Sequence, residues 1–249
     1  MTAGSRIYKL FRHFNANAFW VIHAEHVTDA ESVQQSSMIR LHGTEWLNDE
    51  VINYFLSLVA LRDIRRVKKL GGRRSYVFNT FFYSKLMDVS NVDNTGEVCY
   101  HLVKQWGCLA PGGDIFSLDK LFIPINKTRL QWMLVVVFMQ ERKVVFLDPF
   151  HSNGHSHRKH VLRYLQEEHR HRHGTDLPNH LWSSEDYDHQ LVPYQLNGFD
   201  CGVFVCMYVD HLSCDIPMSF AQAHTHLCRL YMAHVIHTNG KIPLFSVRP

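Results

Sequence analysis

The run Gln131-Trp-Met-Leu-Val-Val-Val-Phe-Met139, followed by Lys143-Val-Val-Phe-Leu-Asp148, constrains this chain more than any other stretch. Both segments are apolar and rich in β-branched and aromatic side chains, which suit extended backbone. The Gln-Glu-Arg-Lys between them is a charged turn short enough to join neighbouring antiparallel strands. Two adjacent buried strands are predicted. A hairpin of this kind brings Gln131 and Trp132, at the entrance of the first strand, next to Asp148, at the exit of the second.

A third segment completes the arrangement. Val192 to Asp200 is a turn-rich approach, Cys201 follows, and the residues up to Val209 are almost all apolar over a helical length. A cysteine at the mouth of a buried helix meets free backbone N–H groups and the positive end of the helix dipole, both of which favour a thiolate. A cysteine, an acidic residue able to orient a base and a position between them are the parts of a nucleophilic peptidase. The expected architecture is α+β, with a helical part carrying Cys201 packed on a mixed sheet carrying Gln131 and Asp148.

The length of 249 residues suits a single domain with one sizeable core. We expect an N-terminal extension over residues 1–38 and a catalytic domain over 39–249. The apolar runs are short and flanked by charge, so neither a secretory leader nor a membrane span is expected, and the compartment is expected to be the nucleus, the cytoplasm or both. The six cysteines lack paired CxxC spacing and read as free thiols. A net charge of +3, from 26 basic and 23 acidic residues, is too balanced to signal a nucleic-acid protein, and a monomer is expected. The competing class is a nucleic-acid-binding protein using the basic run Arg62–Arg74. We read that run instead as a solvated helix end and loop. Histidine is abundant at 19 residues, but the alternation of His and Arg from His169 to His173 makes a poor metal site, because arginines repel a cation.

Other elements follow from period and caps. Leu47–Ala60 predicts a helix with Asn48 as N-cap, Asp49 and Glu50 in its first turn, and Ile52, Phe55, Leu56 and Val59 on one face. Tyr76–Leu86 is an aromatic strand or short helix. Thr95 is a candidate cap for a helix through Val98, Leu102 and Trp106 that stops at Gly107. Leu121–Ile125 predicts a strand in which Pro124 indicates an edge or a bulge. Residues 157–173 predict an amphipathic helix with Val161, Leu162 and Leu165 inward and Gly174 as its stop. Ser219 is expected to cap the last helix, with Gln222 as its reciprocal partner.

The segment Gln195-Leu-Asn-Gly-Phe-Asp-Cys-Gly202 resembles the papain-like cysteine peptidases that process SUMO and remove it from target proteins, the sentrin-specific or ubiquitin-like-protease family. The resemblance extends from about Leu41 to Ile236 and includes Trp46-Leu-Asn-Asp-Glu-Val-Ile-Asn, Asn79-Thr-Phe-Phe-Tyr-Ser-Lys-Leu, Asp114-Ile-Phe-Ser-Leu-Asp, Trp132 and Asp148. It implies a papain-like fold, Cys201 as nucleophile, Asp148 as the residue orienting the catalytic base, and Gln195 as a side-chain donor of the oxyanion hole. For Gln195 a loop-fixing hydrogen bond is the alternative. Trp46 and Trp132 match the paired indoles that cover the Gly-Gly tail of the modifier, the alternative being two core tryptophans. Asp49 matches a polar contact to the modifier and could equally serve the helix N-terminus. The implied partner is SUMO or another ubiquitin-like protein with its conjugates, and no metal or organic cofactor is required.

The chain departs from that family at Gln131, where the family pattern has the catalytic histidine. Glutamine can donate to Asp148 but cannot take up a proton near neutral pH, so the thiol lacks a base and the leaving amine lacks an acid. Three readings remain open: a protease disabled by substitution, a pseudoprotease that retains modifier binding, and rescue by another histidine such as His151.

Overall fold

The computed structural model describes residues 33–88, 98–127, 130–188 and 190–239. Five strands form one mixed sheet in the order β1 (Tyr76–Val77), β2 (Lys120–Lys127), β3 (Gln131–Phe138), β4 (Lys143–Leu147) and β5 (Ser183–Asp186). The hairpin predicted from the two apolar runs is its centre: β3 pairs antiparallel with β2 and with β4, in a register that sets Leu134 opposite Leu147. The outer strands β1 and β5 join in parallel.

Side chains alternate across the sheet with period two, and both faces are covered. Trp132, Leu134 and Val136 pack on one side with Phe122, Val145 and Leu147, against helices α2 (Asp49–Leu70), α5 (Cys201–Leu212) and α6 (Thr225–His237). Met133, Val135 and Val137 pack on the other with Leu121, Ile123 and Phe146, against α3 (Phe82–Leu86) and α4 (His155–His173). The remaining short helix, α1 (Gln35–Met38), is tied to the start of α2, where Gln34 N–H and the Ser37 hydroxyl both donate to the Glu50 carboxylate.

Helix α2 begins as its sequence predicts. Asn48 Oδ1 accepts from Val51 N–H at 3.2 Å, Asp49 and Glu50 occupy the first turn, and Ile52, Phe55, Leu56 and Val59 are buried. Burial of one such side chain contributes about 1.5–3 kcal/mol. The helix continues through most of the basic run to Leu70, which corrects the expectation of a wholly solvated helix end and loop. Arg62 is buried because its guanidinium meets Asp210 of α5 and donates to Ser213 Oγ at 2.7 Å. Asp63 is buried too, accepting from Ser75 N–H at 2.9 Å and from Arg66. Lys68, Lys69 and Arg73 are exposed.

Other expectations divide. Tyr76–Leu86 is both things offered, the strand β1 followed by α3. Thr95 lies outside the described residues, and from Val98 to Gly107 the chain forms a 3-10 turn at Tyr100–Leu102 rather than a longer helix. Pro124 sits opposite Leu134 of β3, beyond the two-residue reach of β1, so on its other side there is no β1 ladder for a missing N–H to break. Helix α4 spans His155–His173 and ends at Gly174 in the left-handed conformation at φ 69°. Ser219 caps nothing: α6 starts at Thr225 behind a 3-10 turn over Gln222–His224, and Gln222 serves the cysteine loop instead.

The six cysteines are free thiols. Among the described residues no helix is long and apolar enough to cross a membrane.

Candidate active site

Three element ends converge where the sequence places them. The start of β3 carries Gln131 and Trp132, the end of β4 carries Asp148, and the first residue of α5 is Cys201. Gln131 Nε2 donates to Asp148 Oδ1 at 2.5 Å. Asp148 is only 3% exposed and is held from its other sides by Phe150 N–H at 3.0 Å, Ser152 N–H at 3.1 Å and the Ser152 hydroxyl. Such donors replace the water that a buried carboxylate has lost. Ser152 was not singled out in the sequence; a hydroxyl four residues past a strand-ending Asp-Pro gives only a weak signal.

Cys201 is buried, and burial pushes its thiol up from the ordinary value of 9.0. The main-chain N–H groups of Trp132, Gly202 and Cys201 itself pull the other way, while the Asp148 charge adds to the rise. The Trp132 amide is the one after Gln131, so the thiol sits against the start of β3. The net effect favours the thiol over the thiolate.

Close approach of α5 to β3 depends on Gly202. A Cβ there would lie 3.1 Å from Ile52 Cδ1 and from Leu47 Cβ, and 3.3 Å from Trp132 Cδ1, tighter than ordinary contact. The indole of Trp132 is buried and donates from Nε1 to the Leu47 carbonyl at 3.1 Å, which links it to the residue next to Trp46. Trp46 is partly exposed at the head of α2, as is Asp49 in the first turn.

Gln195 is buried in the loop before Cys201, its N–H bonded to the Pro149 carbonyl at 2.8 Å. Its amide hydrogens point within the loop, to the Asn197 carbonyl and to Asn197 Oδ1 at 3.3 Å, and Oε1 is buried without a hydrogen-bond partner. The loop-fixing bond therefore exists in this state. Presenting Nε2 to an oxyanion requires the side chain to turn.

His151 follows Asp148 closely. Its N–H donates to the Asp148 carbonyl at 2.9 Å, its backbone is left-handed at φ 56°, and its ring lies 5.4 Å from that of Tyr194. It shares a small pocket with Phe146, Leu147, Asp148, Ser152, Tyr187 and Val192.

The family model described as "Ulp1 protease family, C-terminal catalytic domain" matches residues 45–241. The chain belongs to the Ulp1 protease family. It is 34% identical over 198 residues to human sentrin-specific protease 2, a match covering 79% of this chain and 31% of that protein. The chain thus spans about a third of the length of sentrin-specific protease 2 and of the Arabidopsis thaliana ubiquitin-like-specific protease 1A. Among solved structures, the SUMO protease Ulp1 with its catalytic cysteine oxidised to a sulfenic acid superposes with a TM-score of 0.67 at 26% identity, covering 84% of each chain. The Ulp1 protease domain in complex with Smt3, the yeast ortholog of SUMO, gives a TM-score of 0.71 over 96% of each chain at 22% identity, which speaks for the fold. Membership of the Ulp1 family and the papain-like α+β fold place the chain in a cysteine-peptidase family, and the hydrogen bond from Gln131 to Asp148 is consistent with an impaired triad.

Proposed function

We propose that this chain recognises the C-terminal Gly-Gly tail of SUMO, or of a closely similar ubiquitin-like protein, and hydrolyses the bond after it slowly. Cys201 is the nucleophile, Asp148 the orienting carboxylate, and Gln195 the oxyanion donor after it turns from Asn197. Trp46 and Trp132 line the tail-binding cleft. Asp49 contacts the globular part of the modifier.

The observation that carries this reading is the Gln131–Asp148 hydrogen bond beside a buried Cys201, whose thiol is pushed up by burial. The amide satisfies Asp148 as an imidazole N–H would, so the site's geometry is preserved. An amide neither accepts the thiol proton nor returns one to the leaving amine, so both chemical steps lose their proton carrier. The names of the relatives support SUMO as the modifier.

The test is to titrate the protein with mature ubiquitin-like proteins and to follow cleavage of their C-terminal amides in parallel. Selective binding of SUMO with slow turnover is the expected result. Turnover of about 1 s⁻¹ or more would sink the impaired reading. Binding of none of the modifiers would sink the assignment of substrate.

A further inference from the structure

We infer that Arg229 is a positioning residue that joins the two walls of the cleft, the loop presenting Cys201 and the segment presenting Trp46, into one rigid unit. This rests on the proposed roles of those two residues.

Arg229 lies in α6, away from the thiol in sequence, and its side chain is 3% exposed. Its fork of donors is spent in two directions. Toward the cysteine loop, Nε and Nη2 donate to Asp200 Oδ1 at 2.9 and 2.7 Å, and Nη2 reaches the Phe199 carbonyl at 3.4 Å. Toward the tryptophan segment, Nη1 donates to the Arg40 carbonyl at 2.8 Å and Nη2 to the Glu45 carbonyl at 2.9 Å. Glu45 immediately precedes Trp46, and Asp200 immediately precedes Cys201.

Asp200 occupies the N-cap position of α5, yet its side chain makes no cap bond. An aspartate there would ordinarily accept from the second or third N–H of the helix. Here the carboxylate is turned away, onto Arg229, Asn197 Nδ2 at 2.7 Å and Gln222 Nε2 at 2.8 Å. Burial alone would raise its pKa, but these hydrogen bonds and the Arg229 charge hold it below the usual carboxylate value. Two consequences follow at the thiol. The first-turn N–H groups of α5 remain available to sulfur, and the carboxylate of the residue immediately before Cys201 is neutralised. The same Asn197 that bonds Asp200 also accepts from Gln195, and Gln222 accepts from Leu196 N–H at 2.7 Å. The network therefore extends from the tryptophan segment to the expected oxyanion donor.

Arg229→Lys and Arg229→Met separate the two tasks. Lysine keeps a charge for Asp200 but cannot also span the Arg40 and Glu45 carbonyls, because a point ammonium lacks the planar fork. Methionine removes both. The readouts are the pH dependence of Cys201 alkylation by iodoacetamide, followed on the Cys201 peptide by mass spectrometry, and the affinity for mature SUMO, with thermal unfolding to establish that each variant is folded. Arg229→Met is expected to raise the alkylation midpoint by about one pH unit. Arg229→Lys is expected to leave that midpoint in place while weakening SUMO binding about ten-fold. A folded Arg229→Met with the parent midpoint, or an Arg229→Lys with the parent affinity, overturns the assignment. Should Arg229→Met fail to fold, the double variant Asp200→Asn with Arg229→Met leaves no buried charge unpaired, and parent-like SUMO affinity in it overturns the assignment equally. If the parent chain itself binds no SUMO, the functional reading has failed, and the alkylation midpoints of the variants then decide on Arg229.

Discussion

Replacing Gln131 by histidine tests the reading of the site most directly. The thiol of Cys201 lies above its ordinary value of 9.0 because it is buried beside Asp148. At pH 7 such a group is ionised in no more than about one molecule in a hundred. An imidazole at position 131 would donate one N–H to Asp148, as Gln131 Nε2 does now at 2.5 Å, and offer its other nitrogen to sulfur. Ionising the sulfur recovers about a hundred-fold, and protonating the leaving amine adds a general-acid contribution of about 10²–10⁴. The two overlap in part, so we expect turnover to rise at least about 10³-fold, equivalent to about 4 kcal/mol in the barrier. The assay is hydrolysis of a fluorogenic C-terminal amide of SUMO across pH 5–10. For the parent, the rate should climb with pH through pH 9 as thiolate forms. For Gln131→His it should level off near neutrality. A gain below about ten-fold in a variant of unchanged melting temperature, or a pH profile still climbing past 9, would refute the assignment of position 131.

Three further outcomes are expected. In the Gln131→His background, Gln195→Ala should lower kcat about 10²–10³-fold, whereas Asn197→Ala, which removes the side-chain bonds that Asn197 makes to Gln195, Phe199 and Asp200 within the loop, should lower it much less; equal losses would reduce Gln195 to a loop residue. Arg62→Met leaves the buried Asp210 carboxylate without its cation and should cost about 3–5 kcal/mol in urea denaturation, and a loss under about 1 kcal/mol would show that Asp210 is held by other groups. Burial pushes His157 down from 6.5 to about 4, with the His160 and Lys127 charges adding to the fall and Asp148 opposing it. Between those values the unfolded chain binds more protons than the folded one, so stability should drop as pH falls from 6.5 toward 4; comparing the melting temperatures at pH 7 and pH 5 should show a smaller drop in His157→Gln, and an unchanged drop would assign the effect elsewhere.

The centre of the site was legible because its elements announce themselves locally. The two apolar runs and their short connector dictate the hairpin, and the hairpin alone places Gln131 beside Asp148. Cys201 at the first turn of α5 follows from a polar loop running into an apolar helix. What the sequence hides is pairing at long range. Arg62 reads as one more cation in a basic run until Asp210 and Ser213, some 150 residues away, are brought to it. Strand β5, Ser-Ser-Glu-Asp, carries no apolar pattern, because a short parallel edge strand is held by its main chain. Arg229 looks like a misplaced charge on an apolar helix until three backbone carbonyls and Asp200 surround it. The expected helix before Gly107 failed for a related reason: apolar spacing there matches a helix, but the chain turns in 3-10 steps around the aromatic cluster of Phe78, Phe82, Trp106 and Tyr164.

The covering of β3 on both faces has a consequence for how the strand finds its alignment. Where one face of a strand is wet, sliding it by one residue exposes its apolar side chains and is strongly opposed. In β3 the even and odd positions are both apolar, so a slip of one residue exchanges Leu134 for Val135 or Val136 for Val137 at little hydrophobic cost. Discrimination falls to the two polar bonds at the strand's entrance, Trp132 Nε1 to the Leu47 carbonyl and Gln131 Nε2 to Asp148, which form only in one alignment. The side chains that close the candidate site thus also act as the frame marker for the strand that carries them.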